Sequence, residues 1–102
     1  MIDELIKIIG VIKNKVSDSS DVVWTRYESV KEFRDDLDNY IIRLKANDKS
    51  CLEEIYILFA PTGSLQEHSI SNGWADEYIN LADRFDKLYK DLKQWISFCN
   101  FG

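Results

Sequence analysis

His68 is the only histidine in the chain, and it sits beside Glu67. A carboxylate next to an imidazole can move a proton, so this pair is the first candidate for acid–base chemistry. A nucleophile to accompany it would have to be Cys51, Cys99 or a serine nearby. None of these lies in a nucleophile elbow or a cysteine-enzyme signature. Without a nucleophile, the pair reads as a surface histidine in a loop. Structural zinc takes about four Cys or His ligands, and three candidates scattered over the chain do not supply them. Asp35, Asp36 and Asp38 lack the glycine turn of a calcium loop and read as the solvated face of a helix. No glycine-rich phosphate loop is present. The sequence thus predicts no enzyme, no cofactor and no metal.

The charged residues are more informative. Lys87, Lys90 and Lys93 form a short basic stripe interrupted by Asp91, and the net charge of −5 opposes binding to a polyanion, so no nucleic-acid partner is expected. Between Ser50 and Asp83 there is neither lysine nor arginine, whereas Glu53, Glu54, Glu67, Asp76, Glu77 and Asp83 all fall there. All thirteen bases lie outside this window, against twelve of the eighteen acids, so the net charge comes from one third of the sequence. A single-sign surface steers a partner of opposite charge. Tyr56, Trp74 and Tyr78 occupy the same window, and aromatic anchors ringed by acids suit a protein interface. The expected partner-binding residues are therefore Glu53, Glu54, Glu67, Trp74, Asp76, Glu77 and Asp83. The bland alternative is that Trp74 and Tyr78 are core residues and the acids serve helix caps and solubility.

The elements that must position these residues are helical. One proline, four glycines and 30% charged residues suit long helices, and 45% apolar residues are enough to build a core. The length fits one domain, 1–102. In 2–16, Ile2, Leu5, Ile6, Ile9, Ile12 and Val16 follow helical spacing, and Ile8 and Val11 widen the apolar arc. Ser17–Asp21 is a polar loop. A second helix is expected over 21–46, with Val30 as its weakest point. A third, over 49–60, has a capping box in Ser50 and Glu53. Residues 61–73 hold Pro61, Gly63, Asn72 and Gly73 and show no periodicity, so they read as a long loop. The fourth helix, 73–99, carries the strongest pattern, with Trp74, Tyr78, Leu81, Phe85, Leu88, Leu92, Trp95 and Cys99 spaced 4, 3, 4, 3, 4, 3, 4. Asn72 is its expected N-cap, and Leu81, Phe85, Leu88, Leu92 and Trp95 are expected to be buried. The whole is expected to be an all-α antiparallel bundle of about four helices. Cys51 and Cys99 sit among apolar residues, as buried thiols of a reducing compartment do. No apolar run is long enough to span a bilayer. The start Met1-Ile2-Asp3-Glu4 has acids where a secretory signal has bases, so no membrane partner and a cytoplasmic location are expected.

In size, acidity, helicity and its acidic-aromatic surface, the chain resembles bacterial immunity proteins over its whole length. These are small acidic cytoplasmic proteins that bind and neutralise a cognate toxin domain. Many such toxins are basic nucleases. The resemblance implies a basic partner whose active site is occluded through an acidic surface. It rests on the overall profile and assigns no functional residue. Two other readings remain. One is a self-associating structural or regulatory module that uses the apolar arc of 2–16 or the heptad seam. The other is a small enzyme built on Glu67 and His68.

Overall fold

The computed structural model describes residues 2–61 and 63–101; within 95–101 it describes the backbone alone. Among the described residues the secondary structure is entirely helical, in five elements: α1 (Ile2–Lys15), α2 (Val30–Lys45), α3 (Leu52–Leu58), α4 (Ser64–Ser71) and α5 (Ala75–Phe101).

The apolar arc of α1 turns inward. Leu5, Ile8, Ile9 and Ile12 are buried, and Val16 closes the same face just past the helix end. The neighbour is α2, which buries Phe33, Leu37, Tyr40 and Leu44. The two run in opposite directions. Lys13 pairs with Asp38, and the Arg34 guanidinium donates to the Lys13 and Val16 carbonyls. Those carbonyls belong to the open end of α1, where a cation is favoured.

The second helix begins at Val30, nine residues later than expected. Ser29 is its N-cap: in extended conformation, its Oγ accepts the Glu32 amide at 3.1 Å. Glu32 in turn reaches back to the Glu28 amide at 3.4 Å. Such a reciprocal cap stops a helix from extending backwards, whatever apolar residues precede it. Residues 16–29 form an irregular strap instead. It is tacked to the core by Tyr27, which is buried and stacks on Phe33 with ring centroids 4.3 Å apart.

The expected loop over 61–73 contains α4. Its buried residues are Ser64, Leu65, His68 and Ser69, only one of them aliphatic. Gly63 precedes it as an extended N-cap, pressed against the end of α3. A Cβ there would lie 2.8 Å from the Ala60 carbonyl oxygen, so only glycine fits. Asn72 ends α4 rather than starting α5, with its backbone N–H donating to the His68 carbonyl. Gly73 then turns the chain at φ +81°, a conformation natural to glycine.

The 27 residues of α5 span about 40 Å, which accounts for most of the 47 Å long axis of the molecule. Trp74, Tyr78, Leu81, Phe85, Leu88 and Leu92 are all buried, so the heptad seam is a core seam as far as it is described. The expectations for Trp95 and Cys99 lie outside the described side chains. Phe85 stacks on Phe59 at 4.2 Å with the rings nearly parallel. Cys51 is buried and free, and burial raises its thiol pKa, which keeps it protonated and inert. The Ser50–Glu53 capping box does not form. Asp48 takes the Ser50 amide and hydroxyl at 2.9 and 2.6 Å, and Glu53 turns to α5. Among the described residues no helix is long and apolar enough to cross a membrane.

Candidate protein-interaction surface

The surroundings of His68 decide what it can do. Its side chain is 0% exposed. The Trp74 indole N–H donates to its Nδ1 at 3.0 Å. Indole nitrogen can only donate, so Nδ1 is unprotonated and the imidazole is the neutral Nε2–H form. Nε2 has no hydrogen-bond partner among the described residues, and Phe33 packs edge-on against the ring at 5.5 Å. Burial lowers the pKa of His68, with Asp21 opposing the shift. The expected surface histidine is thus a core residue. It is not open to a substrate, and its Nδ1 lone pair is already taken. Among the described residues no group of three or more His, Cys, Asp or Glu is placed to hold a metal ion.

Trp74 is accounted for by the same contact. It is 7% exposed, its N–H is satisfied inside, and it is not free to serve as the expected surface anchor. Tyr78 is also buried; its hydroxyl donates to the Phe59 carbonyl at 3.2 Å, and burial pushes its pKa up to about 12.

The acids of the 50–83 window do not share one patch. Glu53 takes Lys93 at 2.7 Å and the Tyr89 hydroxyl at 2.8 Å, and these bonds hold its carboxyl below the usual range. Glu54 meets Arg43 at 3.2 Å, Glu77 meets Lys15 at 2.9 Å, and Asp83 meets Lys87 at 3.3 Å. Folding therefore returns bases from outside the window to four of its six acids. Glu53 lies beside residues 89 and 93 of α5, and Glu77 lies in the first turn of that helix. The two ends are separated by about 18–24 Å along α5. Glu67 and Asp76 carry no ion pair among the described residues.

A different surface emerges around the strap. Asn72 clamps it to α4 with a two-way bond: the Asp21 amide donates to Asn72 Oδ1 at 2.8 Å, and Asn72 Nδ2 donates to the Asp21 carbonyl at 2.9 Å. At the other end of α4, the Arg26 amide donates to Ser64 Oγ at 3.1 Å. Residues 21–26 thus lie along α4, antiparallel to it. Within that stretch, Asp21 Oδ1 accepts the Val23 amide at 3.0 Å, forming a local Asx turn. Thr25 closes back on Val22. The turn raises Val23 and Trp24 out of the surface, at 74% and 70% exposed. An open depression of about 510 Å³ runs beside them, lined by Ser20, Asp21, Val22, Val23, Thr25, Arg26, Tyr27 and Glu28.

Neither the protein-family models, nor the curated proteins, nor the solved structures contain a match to this chain.

Charge on the strap is one-sided. It carries Asp18, Asp21 and Glu28 against the single base Arg26. Arg26 is itself engaged, by Asp36 at 3.3 Å and by the Tyr27 and Tyr40 hydroxyls at 2.9 and 3.3 Å. Across the clamp, α4 contributes Glu67, and Asp76 follows beyond Gly73. The arrangement is an exposed tryptophan on a braced turn, with carboxylates that make no ion pair among the described residues before and after it in the chain and on the helix beside it. Trp24 is absent from the residues expected at a site. The available signal was negative: between Val23 and Tyr27 it falls off the apolar seam of the segment that reads as helix.

Proposed function

We propose that this chain is a binding protein of the immunity type, an antiparallel helical bundle that neutralises a basic toxin domain by occluding its active site. Its partner surface comprises the strap and the adjoining α4 corner. Trp24 is the apolar anchor, and Asp18, Asp21, Glu28, Glu67 and Asp76 are the carboxylates that complement a basic cleft. The observation that carries this reading is the exposure of Trp24 on a hydrogen-bonded turn whose only base is already paired. A tryptophan buries about 150–250 Å² on docking, and such residues dominate interface energetics. Holding it on a braced turn reduces the ordering cost of binding. The acids supply rate and selectivity, since rim charges mainly speed association.

The competing readings have less to stand on. Self-association through the arc of 2–16 or the heptad seam would draw on faces whose described residues are mostly buried within the monomer, Val11 being an exception. An enzyme at Glu67 and His68 would need a reachable imidazole, and this one is enclosed.

Reversing Asp18, Glu67 and Asp76 to lysine together tests the electrostatic half of the proposal. These residues make no ion pair among the described residues, so the fold should survive. Affinity for the basic partner should fall at least about tenfold, with most of the loss in association rate and much of the salt dependence gone. The control reverses Asp35 on the outer face of α2, which takes no part in the helix cap. Loss of binding in the control alone, with the first variant binding normally, would put the interface on α2.

A further inference from the structure

The surface between α1 and α2 has the opposite character. On α1, Lys7, Gly10, Val11 and Asn14 stand at offsets 0, 3, 4 and 7; on α2, Asp38, Ile41, Ile42 and Lys45 repeat the same offsets. The two ridges bound an open groove of about 950 Å³, with Arg84 of α5 at its edge. Its floor is apolar: Val11 is partly exposed and Ile42 is 66% exposed. Its rim is basic. Asp38 is the single acid and is paired with Lys13, whereas Lys7 and Lys45 have no ion pair among the described residues.

Gly10 is the second, independent observation. It sits in the middle of a helix, where glycine costs about 1 kcal/mol relative to alanine. A Cβ at this position would meet nothing within 4 Å. Packing within the monomer therefore does not require glycine here. A helix backbone approaching closely from outside would require it.

We infer that this groove is a second docking site, which takes an acidic amphipathic helix from a protein partner. An amphipathic helix lays its apolar face into a groove of this kind, and each ridge is about 10 Å long, enough for two turns of the occupant. The floor would receive its apolar face, and Lys7 and Lys45 would meet carboxylates on its flanks; Arg84 is paired with Glu4 at 3.6 Å. A second copy docking face to face would set these bases against themselves. A nucleic acid would leave the apolar floor unused and would meet a chain of net charge −5. The inference is independent of the Trp24 surface, with which the groove shares no residue.

The probe is a 14-residue synthetic peptide with leucine on one helical face and glutamate on its flanks, titrated into the isotopically labelled full chain. It should shift the amides of Gly10, Val11, Ile41 and Ile42, with an affinity of about 10–100 µM. Lys7→Glu with Lys45→Glu should weaken binding about tenfold or more, and should favour the same peptide carrying lysine in place of glutamate. Gly10→Leu should abolish binding while keeping or raising the melting temperature, because leucine is the better helix former. The inference is overturned if the glutamate peptide leaves these amides unmoved up to about 1 mM, where only millimolar affinity would remain. It is also overturned if the lysine peptide binds the parent equally well. Tighter binding of a 12-base DNA oligonucleotide at the same amides would overturn it as well, by making the occupant a nucleic acid.

Discussion

His68 shows how strongly one buried side chain constrains this molecule. Protonation would place an N–H at Nδ1, facing the indole N–H that it now accepts, and would bury a cation beside Phe33. The folded pKa is therefore below the ordinary value of 6.5. A histidine that is neutral when folded and charged when unfolded gives stability that is complete above the unfolded pKa. That stability is lost as pH falls through this value towards the folded one. The loss cannot exceed about 1.4 kcal/mol per pH unit. As no other histidine exists, little else among the side chains titrates between pH 7.5 and 5.5. Denaturant unfolding should show the parent losing stability from the higher to the lower of these pH values, by no more than about 1.4 kcal/mol. His68→Gln keeps an acceptor for the indole but does not titrate in this range, so its stability should stay nearly level. Equal slopes for parent and variant would mean that His68 is hydrated in solution.

At the scale of elements, the strap is held to α4 by a few hydrogen bonds. Asn72 makes two of them, donating to the Asp21 carbonyl and accepting from the Asp21 amide, and its third bond, to the His68 carbonyl, fixes its side chain on α4. Asn72→Ala should cost about 1–2 kcal/mol, by the usual worth of partly buried hydrogen bonds. It should also quicken amide exchange at residues 21–25 while leaving α5 protected, as expected for local opening of a weakly held segment. Unchanged exchange there would show that the Tyr27 and Arg26 contacts hold the strap without Asn72. How far these elements were legible in the sequence follows from what buries them. In α1 and α5 the buried faces are aliphatic and aromatic, and their spacing announced both helices. In α4 three of the four buried residues are Ser64, His68 and Ser69, so apolar periodicity could not see it. The start of α2 was written in Ser29 and Glu32, a capping box masked by Val22, Val23 and Tyr27, which extend the apolar pattern backwards. Asn72 has the chemistry of an N-cap, but Gly73 reverses the chain after it, so it closes α4 and clamps the strap instead.

At the scale of the whole molecule, charge in sequence and charge in space differ. The window without bases suggested one acidic patch, yet Arg43, Lys15, Lys87 and Lys93 return to four of its acids. No local reading could foresee this, because three of the four pairs join different helices. What remains is a molecule with two distinct faces: carboxylates around Trp24 on the strap and α4, and bases along the α1–α2 groove. Whether Trp24 anchors a basic protein partner is read from the affinity of the parent and of Trp24→Ala for the protein that co-purifies with the chain, with melting temperatures alongside. Trp24 is exposed, so its removal should leave the melting temperature within about a degree or two, as for most surface changes. The partner should have a basic isoelectric point, and truncating the tryptophan should cost at least about 2 kcal/mol, roughly thirtyfold in affinity. An acidic partner, or a basic one held equally well by Trp24→Ala, would contradict this anchoring role.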